Sequence, residues 1–216
     1  MPEESLWRAR VRFNLWFVRI VDRVQIFAGR HWLALVNVAL VLVAALPILA
    51  PVLLAFGLDW LAWPIYTVYH MVCHQWPFRT FFLFGPQPFY SVSDIALLAG
   101  TDQVYTFVGN ADVGYKMAFC ERDLAITLAA IGMGLLYIVV RRRLAPPSLL
   151  FYALLLLPIA LDGFTQLPGW RESTAELRLA TGALAGAATV WLLFPYLELR
   201  ADRMLASAAN WTEGTA

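Results

Sequence analysis

The chain has 216 residues, of which 61% are hydrophobic and only 14% carry a charged side chain. Its mean hydropathy of +0.65 is higher than a soluble domain with polar loops and polar helix backs reaches. The formal net charge of +1 argues against a nucleic-acid partner, because phosphate binding requires a dense basic surface. The composition therefore predicts an all-α, polytopic membrane protein that is embedded in a lipid bilayer.

Residues 1–31 are predicted to form a basic, amphipathic helix in the membrane interface. This segment contains six arginines, and on a helical wheel five of them collect on one side. Aromatic and aliphatic residues occupy an adjoining arc, as in helices that lie along lipid headgroups. A partly disordered basic tail is the alternative interpretation.

Four apolar runs follow, and each is close to or above the length of about 20 residues that a spanning helix needs. They are residues 32–58, 124–140, 148–167 and 173–196. Pro47 and Pro51 are expected to kink the first span, and Pro168-Gly169 is expected to turn the chain between the third and the fourth. Gly182 and Gly186 form a GxxxG pair through which a partner helix could approach closely.

Residues 76–119 interrupt this apolar pattern with short mixed stretches rich in glycine, proline and serine. A connection of this length is uncommon unless it has a function or covers something, so we predict a long structured outer loop. It is preceded by an aromatic segment, residues 59–75, which is expected at the membrane surface or as a re-entrant element.

The distribution of basic residues predicts the orientation. With a cytoplasmic N-terminus, eleven basic residues lie inside and five lie outside, which satisfies the positive-inside rule. The five outer residues are Arg79, Lys116, Arg122, Arg171 and Arg178. We therefore expect a multi-pass plasma-membrane protein with both termini in the cytoplasm, a transmembrane domain over 32–200 with an extracytoplasmic loop over 76–119, and a cytoplasmic tail over 201–216.

This topology gathers the few chemically versatile side chains at one outer face. Cysteine, histidine and aspartate are ligands for a transition metal such as zinc, which would suit a metal-dependent enzyme. The candidate ligands are Cys73, His74, Cys120, Asp123 and Asp162. Helical spacing over residues 70–74 would let the side chains of this segment converge. Further polar candidates for the same site are His70, Gln75, Arg79, Arg122, Gln166, Arg171, Glu172 and Arg178.

Structural interpretations of the same residues stand beside the metal site. A Cys73–Cys120 disulfide would make the protein a non-catalytic scaffold or accessory subunit, and a histidine in an aromatic belt can be an interfacial anchor. At the start of the second span, Cys120 could be activated by the helix dipole, or Asp123 could be the N-cap. Asp162 could serve as ligand or base, or could pair with Arg171 or Arg178.

Other functional classes find little support in the sequence. Covalent haem attachment is disfavoured because the chain has no Cys-x-x-Cys-His motif. Serine-triad, phosphate-loop and dinucleotide-binding patterns are also absent. Four spans leave little room for a solute pathway in a monomer, so transport is a weaker reading than a metal site or a scaffold.

Several segments, taken in order, resemble an uncharacterised membrane family known as domain of unknown function 2085. They are Cys73–Gln75, Arg79–Gly85, Gly114–Asp123, Asp162–Gln166, Arg171–Thr174, Arg178 and Thr181-Gly182. The resemblance implies a polytopic membrane protein of bacterial or archaeal type and implies no activity. Other members of that family have a second cysteine at the position of Asp123. This departure weakens a thiol-pair redox function and is compatible with a metal site, since aspartate can also be a ligand.

Overall fold

A computed structural model describes residues 2–141, 143–166 and 171–214 of the protein. The described residues form six α-helices and one small antiparallel sheet. The helices are α1 Pro2–Ala55, α2 Asp59–His70, α3 Val92–Ala99, α4 Glu121–Val140, α5 Leu149–Gln166 and α6 Ala175–Gly214. The strands are β1 Phe82–Leu83, β2 Gly109–Asn110 and β3 Gly114–Lys116. The turn predicted at Pro168-Gly169 lies outside the described residues.

Four of these helices are long and apolar enough to cross a membrane. The candidate spans are Arg12–Ala55, Glu121–Val140, Leu149–Gln166 and Ala175–Ala208. Leucines along α5 are largely exposed, as they are on a helix that faces lipid. The prediction of an all-α polytopic membrane protein with about four spans is confirmed.

Two helices are longer than the sequence pattern predicts. α1 continues without a break through residue 31, so the basic segment and the first span form one helix of 54 residues. The interfacial placement of its first half stays a prediction. α6 likewise continues beyond the fourth span to Gly214, through most of the segment predicted to be a tail.

The closest helix pairing, between α4 and α6, depends on the glycine pair in α6. A Cβ atom at Gly182 would lie 2.8 Å from the Arg122 carbonyl oxygen, and one at Gly186 would lie 2.9 Å from the carbonyl carbon of Ile126. Only glycine allows this backbone approach. The helix that the GxxxG pair accommodates is therefore α4 of the same chain.

The two prolines of α1 dock the neighbouring segments onto this helix. Pro47 and Pro51 have no N–H, so the carbonyls of Val43 and Pro47, four residues earlier, lack their helical donors. The Tyr69 hydroxyl donates to the Val43 oxygen at 2.9 Å, and the Ala118 N–H donates to the Pro47 oxygen at 3.2 Å. These bonds hold the end of α2 and the segment just before α4 beside α1.

The long loop is structured, as predicted. Its strands pair in the order β1-β3-β2. Gly114 has a φ of +81°, and a Cβ there would lie 2.9 Å from the Gly85 Cα, so the crossing requires glycine. The loop has its own small core, made of Phe82, Tyr90, Ile95 and Val113.

Candidate functional site

Most of the polar residues predicted to form a site lie where four segments meet at one end of the bundle. These segments are the chain after α2, the first turn of α4, the last turn of α5 and the first turn of α6. They surround a cleft of about 410 Å³. Its lining residues are Val72, Cys73, His74, Gln75, Trp76, Arg79, Cys120, Arg122, Asp123, Gln166 and Arg178.

Cys73 is buried immediately after α2. Its N–H donates to the Tyr69 carbonyl at 2.9 Å, and its side chain lies in a core cluster with Tyr69 and Phe119. α2 has already ended at His70, and Gln75 adopts a left-handed φ of 54°. The helical spacing predicted for residues 70–74 is therefore wrong, because the chain leaves the helix within this segment.

Cys120 is the N-cap of α4. Its sulfur accepts the Asp123 N–H at 3.4 Å, and its thiol donates to Asp123 Oδ2 at 3.0 Å. The alternative prediction, with Asp123 as the cap, is wrong because Asp123 already lies in the first turn of the helix. The two side chains instead bond to each other at the positive end of the helix dipole.

Cys73, Cys120 and Asp123 together form what we call the thiol–carboxylate cluster. One ligand atom from each residue lies within 4.8 Å of the other two, and both cysteines are free thiols. Among the described residues this is the one group of three or more Cys, His, Asp or Glu side chains close enough to share a metal ion. Sequence reasoning named all three residues.

The two thiols of the cluster differ in acidity. The pKa of Cys73 is lowered mainly by the neighbouring Cys120 side chain, an effect that outweighs burial. The pKa of Cys120 is raised by the neighbouring Cys73 side chain, by burial and by the adjacent Asp123 carboxylate. Cys73 is therefore the thiol that ionises first.

The predicted histidines lie outside this cluster. His74 lines the cleft, but its side chain is exposed and its ring packs 5.5 Å from that of Trp76. His70 is also exposed and lines a separate pocket with Tyr66 and Lys116. Neither imidazole lies within the group that could share an ion with the two thiols.

Asp162 forms ion pairs with two arginines. It is buried, and its Oδ1 accepts a hydrogen bond from Arg171 at 2.7 Å while its Oδ2 is paired with Arg122. Gln166 Nε2 donates to the Asp162 backbone carbonyl at 2.6 Å. Of the two arginines that the sequence suggested as partners for Asp162, the structure places Arg171 there.

Arg178 belongs to an ion pair that sequence reasoning missed. Its guanidinium donates to Glu121 at 2.9 Å, and both side chains are buried. Glu172 is exposed and borders a neighbouring pocket that also includes Glu121 and Arg178. In the sequence, both residues of this pair stand out as ionisable side chains at the ends of apolar runs. Sequence spacing does not show which of these ionisable residues contact each other.

Lys116 and Gln75 connect the turn that carries Cys73 to its neighbours. The Lys116 ammonium donates to the Gln75 carbonyl at 2.7 Å, and the Gln75 side chain donates to the Tyr66 carbonyl at 2.9 Å. Burial lowers the pKa of Lys116 to about 8. The turn that carries Cys73 is thus tied to the small sheet through the chain's single lysine.

The protein is thus a polytopic membrane protein with four candidate spans and a polar site, the thiol–carboxylate cluster, at one end of its helix bundle. The chain belongs to the family described as "predicted membrane protein (DUF2085)", whose profile matches residues 112–192. This finding confirms the family resemblance seen in the sequence.

Two relatives have been described only as uncharacterized proteins. One, from Methanocaldococcus jannaschii, is 33% identical over 134 residues, which are 61% of this chain and 67% of the relative. The other, from Methanothermobacter thermautotrophicus, is 37% identical over 73 residues, which are 34% of this chain and 66% of the relative. Each match therefore spans about two thirds of the relative's length. No solved structure matches the chain.

Proposed function

We propose that this protein binds a transition metal ion, such as zinc, between Cys73, Cys120 and Asp123. The observation that carries the proposal is the convergence of two free thiols and one carboxylate within 4.8 Å, at the edge of a cleft. Zinc takes thiolate and carboxylate ligands at about 2.0–2.3 Å, so a small inward movement of these side chains would complete the site.

The donor set suits a site with an open coordination position. Three protein ligands leave the fourth position of a tetrahedral ion free, as in sites where zinc activates a bound water. The cluster borders a cleft of about 410 Å³, which would give a substrate access to that position. The open coordination position and the adjoining cleft together favour a metal-dependent enzyme over a purely structural metal site.

The cluster is prepared for metal binding by its own hydrogen bonds. The Cys120 thiol donates its proton to Asp123 at 3.0 Å, and that proton would be displaced when a metal ion joins the two residues. Cys120 also lies at the N-terminus of α4, where the helix dipole offsets part of the cost of the thiolate that a metal ion would require. Asp162 is held by two arginines, so we assign it to an ion pair instead of to the metal.

We place this site at the extracytoplasmic face of the plasma membrane, with both termini in the cytoplasm. The early part of α1 contacts the late part of α6, as shown by Gly29 packing beside Leu205. The two termini therefore share one end of the bundle, and the cleft lies at the other. The positive-inside rule assigns the arginine-rich end to the cytoplasm.

Elemental analysis of purified protein tests the metal site. The wild-type protein is expected to contain about one transition-metal ion per chain, and Cys120→Ser is expected to lose most of it. His70→Asn is the matched control, because this side chain is exposed and outside the cluster, and it should keep the metal. Metal-free wild-type protein, or equal metal content in Cys120→Ser, would contradict the proposal.

The proximity of the two sulfur atoms supports a second candidate, a scaffold or accessory subunit stapled by a Cys73–Cys120 disulfide. In that case the cluster would hold no metal and its cysteines would resist alkylation until reduced. Mass spectrometry of protein alkylated under denaturing conditions without reductant separates the two candidates. Two alkylated cysteines support the thiol form, and two unmodified cysteines support the staple.

A further inference from the structure

Three arginines on the wall of the cleft have buried N–H groups that lack an acceptor. Arg79, Arg122 and Arg178 all line the cleft, and the Nε atom of each is buried without a hydrogen-bond partner among the described residues. Arg178 itself is only 6% exposed. A buried donor without an acceptor costs about 1–3 kcal/mol, so three of them on one wall indicate that an acceptor belongs there.

In the described part of the chain, two of the three arginines are paired with carboxylates, and the third is not. Arg122 is paired with Asp162 and Arg178 with Glu121, but Arg79 forms no ion pair within the described ranges. The pKa of Arg79 is lowered by burial and by the nearby charges of Arg178 and Arg122, with Glu172 opposing. Arg79 is therefore the one arginine of this wall that no carboxylate of the described residues pairs with.

Aromatic packing fixes the position of this unpaired charge. The Arg79 guanidinium lies 4.7 Å from the ring centre of Trp76 and 5.7 Å from that of Phe78. A guanidinium held in this way keeps its planar fork ready for a ligand, and its preferred ligands are carboxylate and phosphate oxygens. A phosphate group, with several acceptor oxygens, can accept from three separate donors.

An apolar groove continues from the arginines onto α5. It is about 470 Å³ in volume and shares Arg79 and Arg122 with the cleft, while Ile159, Ala160 and Phe164 line its other side. These residues lie on α5, a candidate span whose leucines are largely exposed, as expected of a helix that faces lipid. The combination fits a phosphate headgroup at the arginines and a hydrocarbon chain along α5.

We propose that Arg79, Arg122 and Arg178 bind the phosphate group of an anionic ligand in this cleft. This arginine site is separate from the proposed metal site, and the inference depends only on the three arginines. It requires no metal ion, so it can be tested with the metal removed. The phosphate could come from free phosphate or from a lipid headgroup, and the apolar groove favours the lipid.

Binding measurements on the full-length protein in detergent, treated with a chelator, test this site. Inorganic phosphate is titrated by equilibrium dialysis, and phosphatidic acid and diacylglycerol are compared by native mass spectrometry. Diacylglycerol has the same apolar chains without the phosphate. Arg79→Gln is the informative variant because Arg79 has no ion pair to lose, and Arg141→Gln removes an exposed charge far from the cleft.

The arginine site predicts saturable binding of phosphatidic acid, inorganic phosphate or both. Affinity should fall about tenfold in Arg79→Gln, as expected for loss of a charged hydrogen bond, and should stay unchanged in Arg141→Gln. Binding of phosphatidic acid alone identifies a lipid headgroup, and binding of phosphate alone identifies a free anion. Three results would overturn the inference: no binding of either ligand, equal affinity in Arg79→Gln, or diacylglycerol bound as tightly as phosphatidic acid.

Discussion

Removal of the Tyr69 hydroxyl tests how the prolines of α1 hold the site together. The hydroxyl donates to the Val43 carbonyl at 2.9 Å, and Pro47 offers that carbonyl no helical N–H. Tyr69→Phe leaves the Val43 carbonyl without a donor in the apolar candidate span, where water is not available to replace it. The expected loss in free energy of unfolding is about 1–3 kcal/mol.

The Pro47→Ala background provides the control for this substitution. An alanine at position 47 supplies an amide that can donate to the Val43 carbonyl, so Tyr69→Phe should then cost less than about 1 kcal/mol. The double-mutant cycle also cancels any packing change caused by removal of the proline ring. Unfolding is measured by titration with denaturing detergent from mild micelles. An equal cost of Tyr69→Phe in both backgrounds would refute the proline-docking argument.

Three further predictions concern the same end of the bundle and its helix packing. Arg178→Met should cost about 3–5 kcal/mol in the same unfolding titration, because it leaves the Glu121 charge buried alone. The double variant with Glu121→Leu should recover part of this loss, and no recovery would contradict the pairing. The pKa of Lys116 is about 8 instead of its ordinary 10.5. Between these pH values the unfolded chain holds a proton that the folded protein has lost, so wild-type stability relative to Lys116→Met should rise with pH by up to about 3 kcal/mol. A flat difference across this window would contradict the burial of the ammonium. Gly186→Ala should destabilise the protein strongly, whereas Gly132→Ala, where a Cβ meets nothing within 4 Å, should not. Equal effects would contradict the close α4–α6 approach.

The spans could be predicted from the sequence because hydropathy over about 20 residues is a one-dimensional property. The helix ends could not be predicted as well. A charge-rich helix can continue from an apolar one without any break, as α1 does through residue 31 and α6 does to Gly214. Local composition shows where the solvent changes, but it does not show where the backbone stops being helical.

The candidate site was predicted in part, because topology brought Cys73, Cys120 and Asp123 to the same end of the bundle. The histidines did not join them, since the chain leaves the helix after His70 and the wheel no longer applies. Pairing of buried charges, such as Glu121 with Arg178, depends on distances between helices. A single sequence does not contain those distances, so Arg79, Arg122 and Arg178 could be named as candidates, but which of them are paired came only from the structure.

X-ray absorption spectroscopy at the zinc edge tests most directly whether two thiols and a carboxylate hold a metal ion. The measurement uses the purified protein after addition of one equivalent of zinc. The cluster predicts two sulfur ligands at about 2.3 Å, with oxygen or nitrogen at about 2.0–2.2 Å, and loss of one sulfur in Cys73→Ser. A zinc shell of oxygen and nitrogen alone would contradict the assignment of Cys73 and Cys120 as ligands.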